Sequence, residues 1–132
     1  MTLKRVANVL TLLLAAFLLY MAIDFLFDPH GAAAGFGLPA SSVPGADGTA
    51  FLKVKGGRDL GLGLLTLALL YARQPKALGW ALLAMTASPI CDASVVVSYG
   101  GGLATALSIH ITAATFVAVT GLLQLRVARR TN

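Results

Sequence analysis

Four apolar stretches, at residues 6–27, 51–71, 77–99 and 103–125, constrain this chain more than anything else in it. Each reaches the length of about 20 residues that a helix needs to cross the hydrocarbon core of a bilayer. A backbone inside lipid must satisfy its own hydrogen bonds, and a helix does so within one segment. The expectation is an all-α, integral membrane four-helix bundle, a single four-span domain over residues 1–132 with the lipid bilayer as its first partner. Composition argues against a water-soluble alternative. Hydrophobic residues make up 58% of the chain and charged ones 11%, against about 25% charged in ordinary soluble domains. A secretory leader is the rival reading of the first stretch, with Lys4 and Arg5 as its basic start. The apolar run from Val6 to Ile23 outlasts a leader's usual core of about 7–15 residues, so a retained span is expected.

A net charge of +5 raises the question of nucleic acid. The cations do not form a patch with interleaved aromatics, as such binding requires, and no nucleic-acid partner is expected. They sit at stretch ends: Lys4 and Arg5, Arg73 and Lys76, then Arg126, Arg129 and Arg130. Basic residues concentrate on the cytoplasmic side of membrane proteins. That rule places both termini and the 73–76 turn in the cytoplasm, in a bacterial inner or cell membrane, and the 28–50 connection and the 100–102 turn outside. Lys53, Lys55 and Arg58 depart from the pattern, being cations at an outer end. Cys91 stands alone, so no internal disulfide forms.

The 28–50 connection is the only long one and is rich in Gly, Ala, Pro and Ser, with Pro29, Pro39, Pro44 and Gly45. It reads as an outer loop whose apolar members Phe36, Leu38 and Val43 lie over the helix ends as a cap. The short connections make their flanking spans antiparallel neighbours. Gly57 and Gly61 form a small-xxx-small pair that predicts a close helix approach. Thr105, Ser108, Thr112 and Thr115 form a polar stripe on the fourth stretch, read as interhelical hydrogen bonding before a substrate path. Pro89 removes one backbone hydrogen bond, frees the carbonyl of Met85 and predicts a bend one turn before Asp92.

Ionisable side chains within spans are costly and by default point to function. Here they are Asp24, Arg58, Asp59, Asp92 and His110. With the topology above, the last four lie roughly 10 Å below the outer boundary at 1.5 Å per residue, and Asp24 lies shallower. All four helices thus deliver a titratable group to one layer beneath the long connection. Tyr20, Asp24 and Asp28 share a face, as do Lys55, Asp59 and Thr66, while Ser88 lies one turn before Asp92, within hydrogen-bonding reach. His110 faces Ala106, Ala114 and Gly121, opposite the Ser/Thr stripe, so the two faces are not expected to line one narrow cavity. Structural readings stand beside these. Asp24 and Asp28 suit an interface, Arg58 suits neutralisation of a carboxylate, and His110 suits a packed, hydrogen-bonded histidine.

Two carboxylates in a pocket of low dielectric tend to divide into one acid and one base. With an arginine between them, such a pair protonates a leaving oxygen and activates a water. Opening an apolar epoxide needs those two acts and no cofactor, and such a substrate partitions into the bilayer. Asp92 and Asp59 are the candidate acid and base in either order, Arg58 the orienting cation and His110 an alternative base. Tyr20, Asp24 and Ser88 are the candidate substrate-binding residues. A single span histidine with no ligand-spaced motif leaves a metal site unexpected.

The run Phe51-Leu52-Lys53-Val54-Lys55-Gly56-Gly57-Arg58-Asp59-Leu60-Gly61-Leu62-Gly63 resembles the Gly-x-Arg-Asp-x-x-x-Gly signature of an uncharacterised family of small four-span membrane proteins. The first-span Asp24, the Phe36-Gly37 pair, the acid in span three and the histidine in span four resemble it too, over nearly the whole chain. Lys55 departs from the pattern. Some fungal members are similar to membrane epoxide hydrolases of the aurovertin type. The resemblance implies a membrane bundle with Arg58 and Asp59 as motif residues, and a hydrolase acting on a small apolar substrate. A small proton-coupled transporter or exporter is the alternative, and a non-catalytic accessory subunit the third reading. A homodimer is compatible with each.

Overall fold

The computed structural model describes residues 2–42 and 45–131, and Val43 and Pro44 of the long connection lie outside them. All regular structure among the described residues is helical. Helix α1 (Leu3–Phe27) starts at Thr2, whose hydroxyl accepts from the Arg5 amide. It stops at Asp28 because Pro29 follows, and a residue before proline is pushed out of the helical region. Asp28 then caps the next helix, α2 (Pro29–Phe36), accepting from the Gly31 amide at 3.1 Å. This corrects the expected 28–50 loop. Residues 29–36 are helix, a 3-10 turn follows at Ala40–Ser42, and α3 (Gly45–Tyr71) begins six residues earlier than the apolar stretch. Helix α2 ends on Gly37 at φ 98°, a left-handed position that glycine takes without strain.

The third stretch is divided. Helix α4 (Pro75–Met85) and α5 (Ala87–Ser98) meet at Thr86, where Pro89 leaves the ladder one donor short, as expected from its position. The fourth stretch opens with one turn, α6 (Leu103–Thr105), passes through a π-helical segment at Ala106–Ile111, and continues as α7 (Thr112–Thr131).

Three of these helical stretches, Leu3–Phe27, Pro75–Ser98 and Leu103–Arg130, are long and apolar enough to cross a membrane. Helix α3 matches them in length but carries Lys53, Lys55, Arg58 and Asp59. The exterior is apolar to a degree that water does not tolerate: Phe27, Phe51, Val54 and Tyr71 are each more than two-thirds exposed. Polar groups lie inside instead, among them Thr11, Asp59, Thr66, His110, Thr120 and Gln124. This is the arrangement of a membrane-type helical bundle.

The bundle is two helix pairs. Helix α3 lies along α1, and α4 lies along α7. Gly56 and Gly63 make the first approach: a Cβ on Gly56 would stand 3.1 Å from the Ala22 carbonyl, and one on Gly63 3.0 Å from the Leu19 side chain. The expected Gly57 and Gly61 pair faces open space. These glycines lie one and two positions off the buried face set by Gly56, Asp59, Gly63 and Thr66. Gly79 and Gly121 make the second approach, with a Gly79 Cβ falling 2.9 Å from the Gly121 carbonyl. The pairs are pinned together at the end that bears both termini. There the Gln124 amide donates to Thr11 Oγ1 at 2.8 Å across α7 and α1. At the opposite end α5 leans on the π segment and α7 rather than on α1 or α3, and α2 packs across the gap.

Candidate functional site

The divergence of the two pairs leaves a cavity of about 660 Å³ beneath α2, within the usual range for small-molecule sites. Its wall includes Tyr20 and Asp24 from α1, Arg58 and Asp59 from α3, Ser88 and Asp92 from α4–α5, and His110 from the π segment. All seven residues singled out in the sequence therefore border one space. Phe36 and Ala32 of α2 form its roof.

Asp59 is the anchor of the polar wall. It is 4% exposed, and both of its oxygens are taken. Lys55 Nζ lies 2.6 Å from Oδ2, one helical turn away, and Arg58 donates through Nη2 and Nε to Oδ1 at 3.2 and 3.3 Å. With both oxygens engaged, Asp59 fixes the position of two cations on the cavity wall. Lys55 was not among the site residues expected from sequence. Its ammonium sits 4.2 Å from the centre of the Phe25 ring and 4.7 Å from that of Phe36, so two aromatic faces and one carboxylate hold it. Lys55 also lines the cavity. The Lys-x-x-x-Asp spacing was the available signal. The aromatic faces come from other helices, so sequence spacing could not show them.

His110 is buried and donates from Nε2 to the Phe36 carbonyl at 2.9 Å. A carbonyl only accepts, so the proton on Nε2 is fixed by its partner. Phe36 is the last residue of α2, and its carbonyl has no partner inside the helix. His110 closes that helix end and stacks edge-on against the Phe36 ring, centroids 4.4 Å apart. The packed, hydrogen-bonded histidine and the cavity-lining histidine are thus the same residue. Its π segment is a helical irregularity of the kind frequent at functional sites.

Asp92 differs from Asp59. It makes neither a hydrogen bond nor an ion pair among the described residues, and the expected Ser88 hydrogen bond is not formed although both side chains border the cavity. Lys55, Arg58 and His110 are near enough to bear on its charge, as is Asp59. Asp24 lines the cavity partly exposed, while Asp28 is spent on the α2 cap. The Ser/Thr stripe is also divided. Thr112 borders the cavity with His110, whereas the Ser108 and Thr115 hydroxyls turn back to carbonyls of their own helix. The two faces were not expected to line one narrow cavity; Thr112 alone of the stripe joins His110 on the wall, while Thr105, Ser108 and Thr115 do not border it. Among the described residues no three His, Cys, Asp or Glu side chains are placed to hold a metal ion.

A membrane-type bundle of long apolar helices around an internal polar cluster is the class that this architecture defines. The chain belongs to the family described as Domain of unknown function (DUF4267), which it matches over residues 15–124. That match takes in every residue of the cavity wall named above. No curated protein matches the chain. No solved structure matches it either.

Proposed function

We propose that this protein is a four-span membrane hydrolase that opens an apolar epoxide without a cofactor, with both termini in the cytoplasm and α2 at the outer face. The carrying observation is Asp92, a carboxylate without a partner of its own that borders the cavity together with two cations. In this reading Asp92 is the general base. It takes a proton from a water whose oxygen attacks one epoxide carbon, and the carbon–oxygen bond breaks. The ring oxygen leaves as an alkoxide, accepts a hydrogen bond from Arg58 and takes a proton from the Lys55 ammonium. Asp92 passes its proton through water to the neutral Lys55 amine, which restores both groups, so the sum is epoxide plus water giving a diol. Asp59 holds the two cations in place and is a positioning residue.

The Gly56–Gly63 run supports this reading as a unit. Gly56 and Gly63 seat α3 on α1, and Arg58 with Asp59 then faces the cavity. Incubation of the purified protein with long-chain 1,2-epoxides in ¹⁸O-labelled water should yield labelled diol, and Asp92→Asn should lower the rate at least a hundredfold while the protein stays folded. Diol formation that survives Asp92→Asn, or its absence across a panel of epoxides, rejects the assignment.

One observation favours a second reading, a proton-coupled transporter. The break at Thr86 and the π segment at Ala106–Ile111 flank the cavity on neighbouring helices, where a rocking motion would need its hinges. Substrate-driven proton flux in proteoliposomes, lost in Asp92→Asn with no product formed in detergent, would select it over the enzyme.

A further inference from the structure

The cavity wall is graded along the bundle axis. Beneath α2 it carries Asp24, Lys55, Arg58, Asp59, Asp92 and His110. Further from α2, every helix turns apolar: Leu13, Leu14 and Phe17 on α1, Leu62 on α3, Met85 on α4, Phe116 and Val117 on α7. Helices α1 and α4–α5 run toward α2 while α3 and α7 run away from it, so the four agree on direction although their sequences run in opposite senses. From Asp24 to Leu13 the helix rises about 16 Å at 1.5 Å per residue. A small polar substrate would leave that lower half empty, and an apolar void of this size forfeits packing.

The wall is also open toward lipid. Leu13, Phe17 and Tyr20 line the cavity while being about half exposed, and Ile109 and Thr112 of the fourth helical stretch line it and are exposed as well. These residues mark a lateral mouth between α1 and the start of the fourth helical stretch. Three carboxylates face two cations along the wall, and both cations already hold Asp59. A permanently anionic head would add a fourth negative charge against these two paired cations and would face Asp24 and Asp92.

We infer that the cavity holds a single-chain membrane amphiphile with an uncharged, oxygen-bearing head beneath α2 and its hydrocarbon chain running toward Leu14 and Val117, reached sideways from the bilayer. This rests on the cavity being the ligand site, and it names the substrate class of the proposed hydrolase. Its test does not use turnover. In lipid nanodiscs, two photoactivatable primary alcohols of about twelve carbons would be compared, one with a diazirine beside the hydroxyl and one with it at the far end of the chain. The head-end probe should label segments 20–24 and 88–92, and the tail-end probe segments 13–18 and 113–117. Unlabelled dodecanol should compete at least tenfold better than dodecanoate. Met85→Trp and Ala113→Phe, two independent ways to fill the lower half, should each cut tail-end labelling at least fivefold and leave head-end labelling of shorter alcohols intact. Reversed positions, labelling confined to lipid-facing Leu12, Ile23 and Phe51, or better competition by the carboxylate overturns the inference. Absence of epoxide turnover with this labelling pattern intact overturns only the hydrolase.

Discussion

Replacing Lys55 by methionine tests whether the polar wall is held as described. Methionine keeps much of the lysine stem and its contact with Phe25 and Phe36 but removes the ammonium 2.6 Å from Asp59. Breaking a buried pair by deleting one partner costs about 3–5 kcal/mol, because the other charge is left uncompensated. The side chains here are 17% and 5% exposed, so screening by solvent is weak. Arg58 keeps its two hydrogen bonds to Asp59 Oδ1 and offsets part of the loss. The lost cation–π attraction is worth about 1 kcal/mol and is partly replaced by sulfur–ring contact. The expected net cost is about 2–3 kcal/mol. Asp59→Leu should cost a similar amount by stranding Lys55. The double variant Lys55→Met/Asp59→Leu should come within about 1 kcal/mol of the parent, since an apolar replacement of a whole buried pair is often neutral. Denaturant unfolding of the four proteins in one mild detergent measures the cycle. Additive costs, with the double variant losing the sum of the two, would refute the view that Lys55 and Asp59 stabilise the protein through each other.

Gly79→Val should destabilise the protein by about 3 kcal/mol or more, because its Cβ meets Leu125 at 2.7 Å and the Gly121 backbone at 2.9 Å; Gly57→Ala, pointing into open space, should be neutral or stabilising by up to about 1 kcal/mol. The two thermal unfolding midpoints decide between this assignment of contact glycines and the Gly57/Gly61 alternative. His110→Ala should strand the Phe36 carbonyl at a cost of about 1–3 kcal/mol, seen as faster amide exchange in residues 29–36 with exchange in α1 and α3 unchanged. Uniform exchange across the variant would show that His110 does not fasten α2. Gln124→Leu removes the Thr11 hydrogen bond and should lower stability by about 1 kcal/mol; a larger loss together with altered α2 exchange would contradict the independence of the two ends.

The apolar runs were enough to place α1, the broken α4–α5 pair and α7, because the need to bury backbone polarity in lipid acts on sequence-local segments. The convergence of Asp24, Arg58, Asp59, Asp92 and His110 was legible for the same reason: depth along a helix is a count of residues. Helix α2 was not legible. Pro-His-Gly-Ala-Ala-Ala-Gly-Phe has two internal glycines and weak helical tendency, and what holds it is tertiary, namely His110 on its last carbonyl and Phe36 between Phe25 and the imidazole. The choice of Gly56 and Gly63 over Gly57 and Gly61 was equally hidden, since four glycines in eight residues offer more than one face and only the position of α1 selects among them.

By itself, then, the amino-acid order determined that long apolar helices form and at which level each carries its charge, since both follow from spacing along one strand of backbone. Tertiary structure alone decided which aromatic faces close over Lys55, which carboxylate stays unpaired and that the helix pairs part beneath α2, because each of these depends on the rotation and tilt of one helix against another, and no periodicity within a single helix records them.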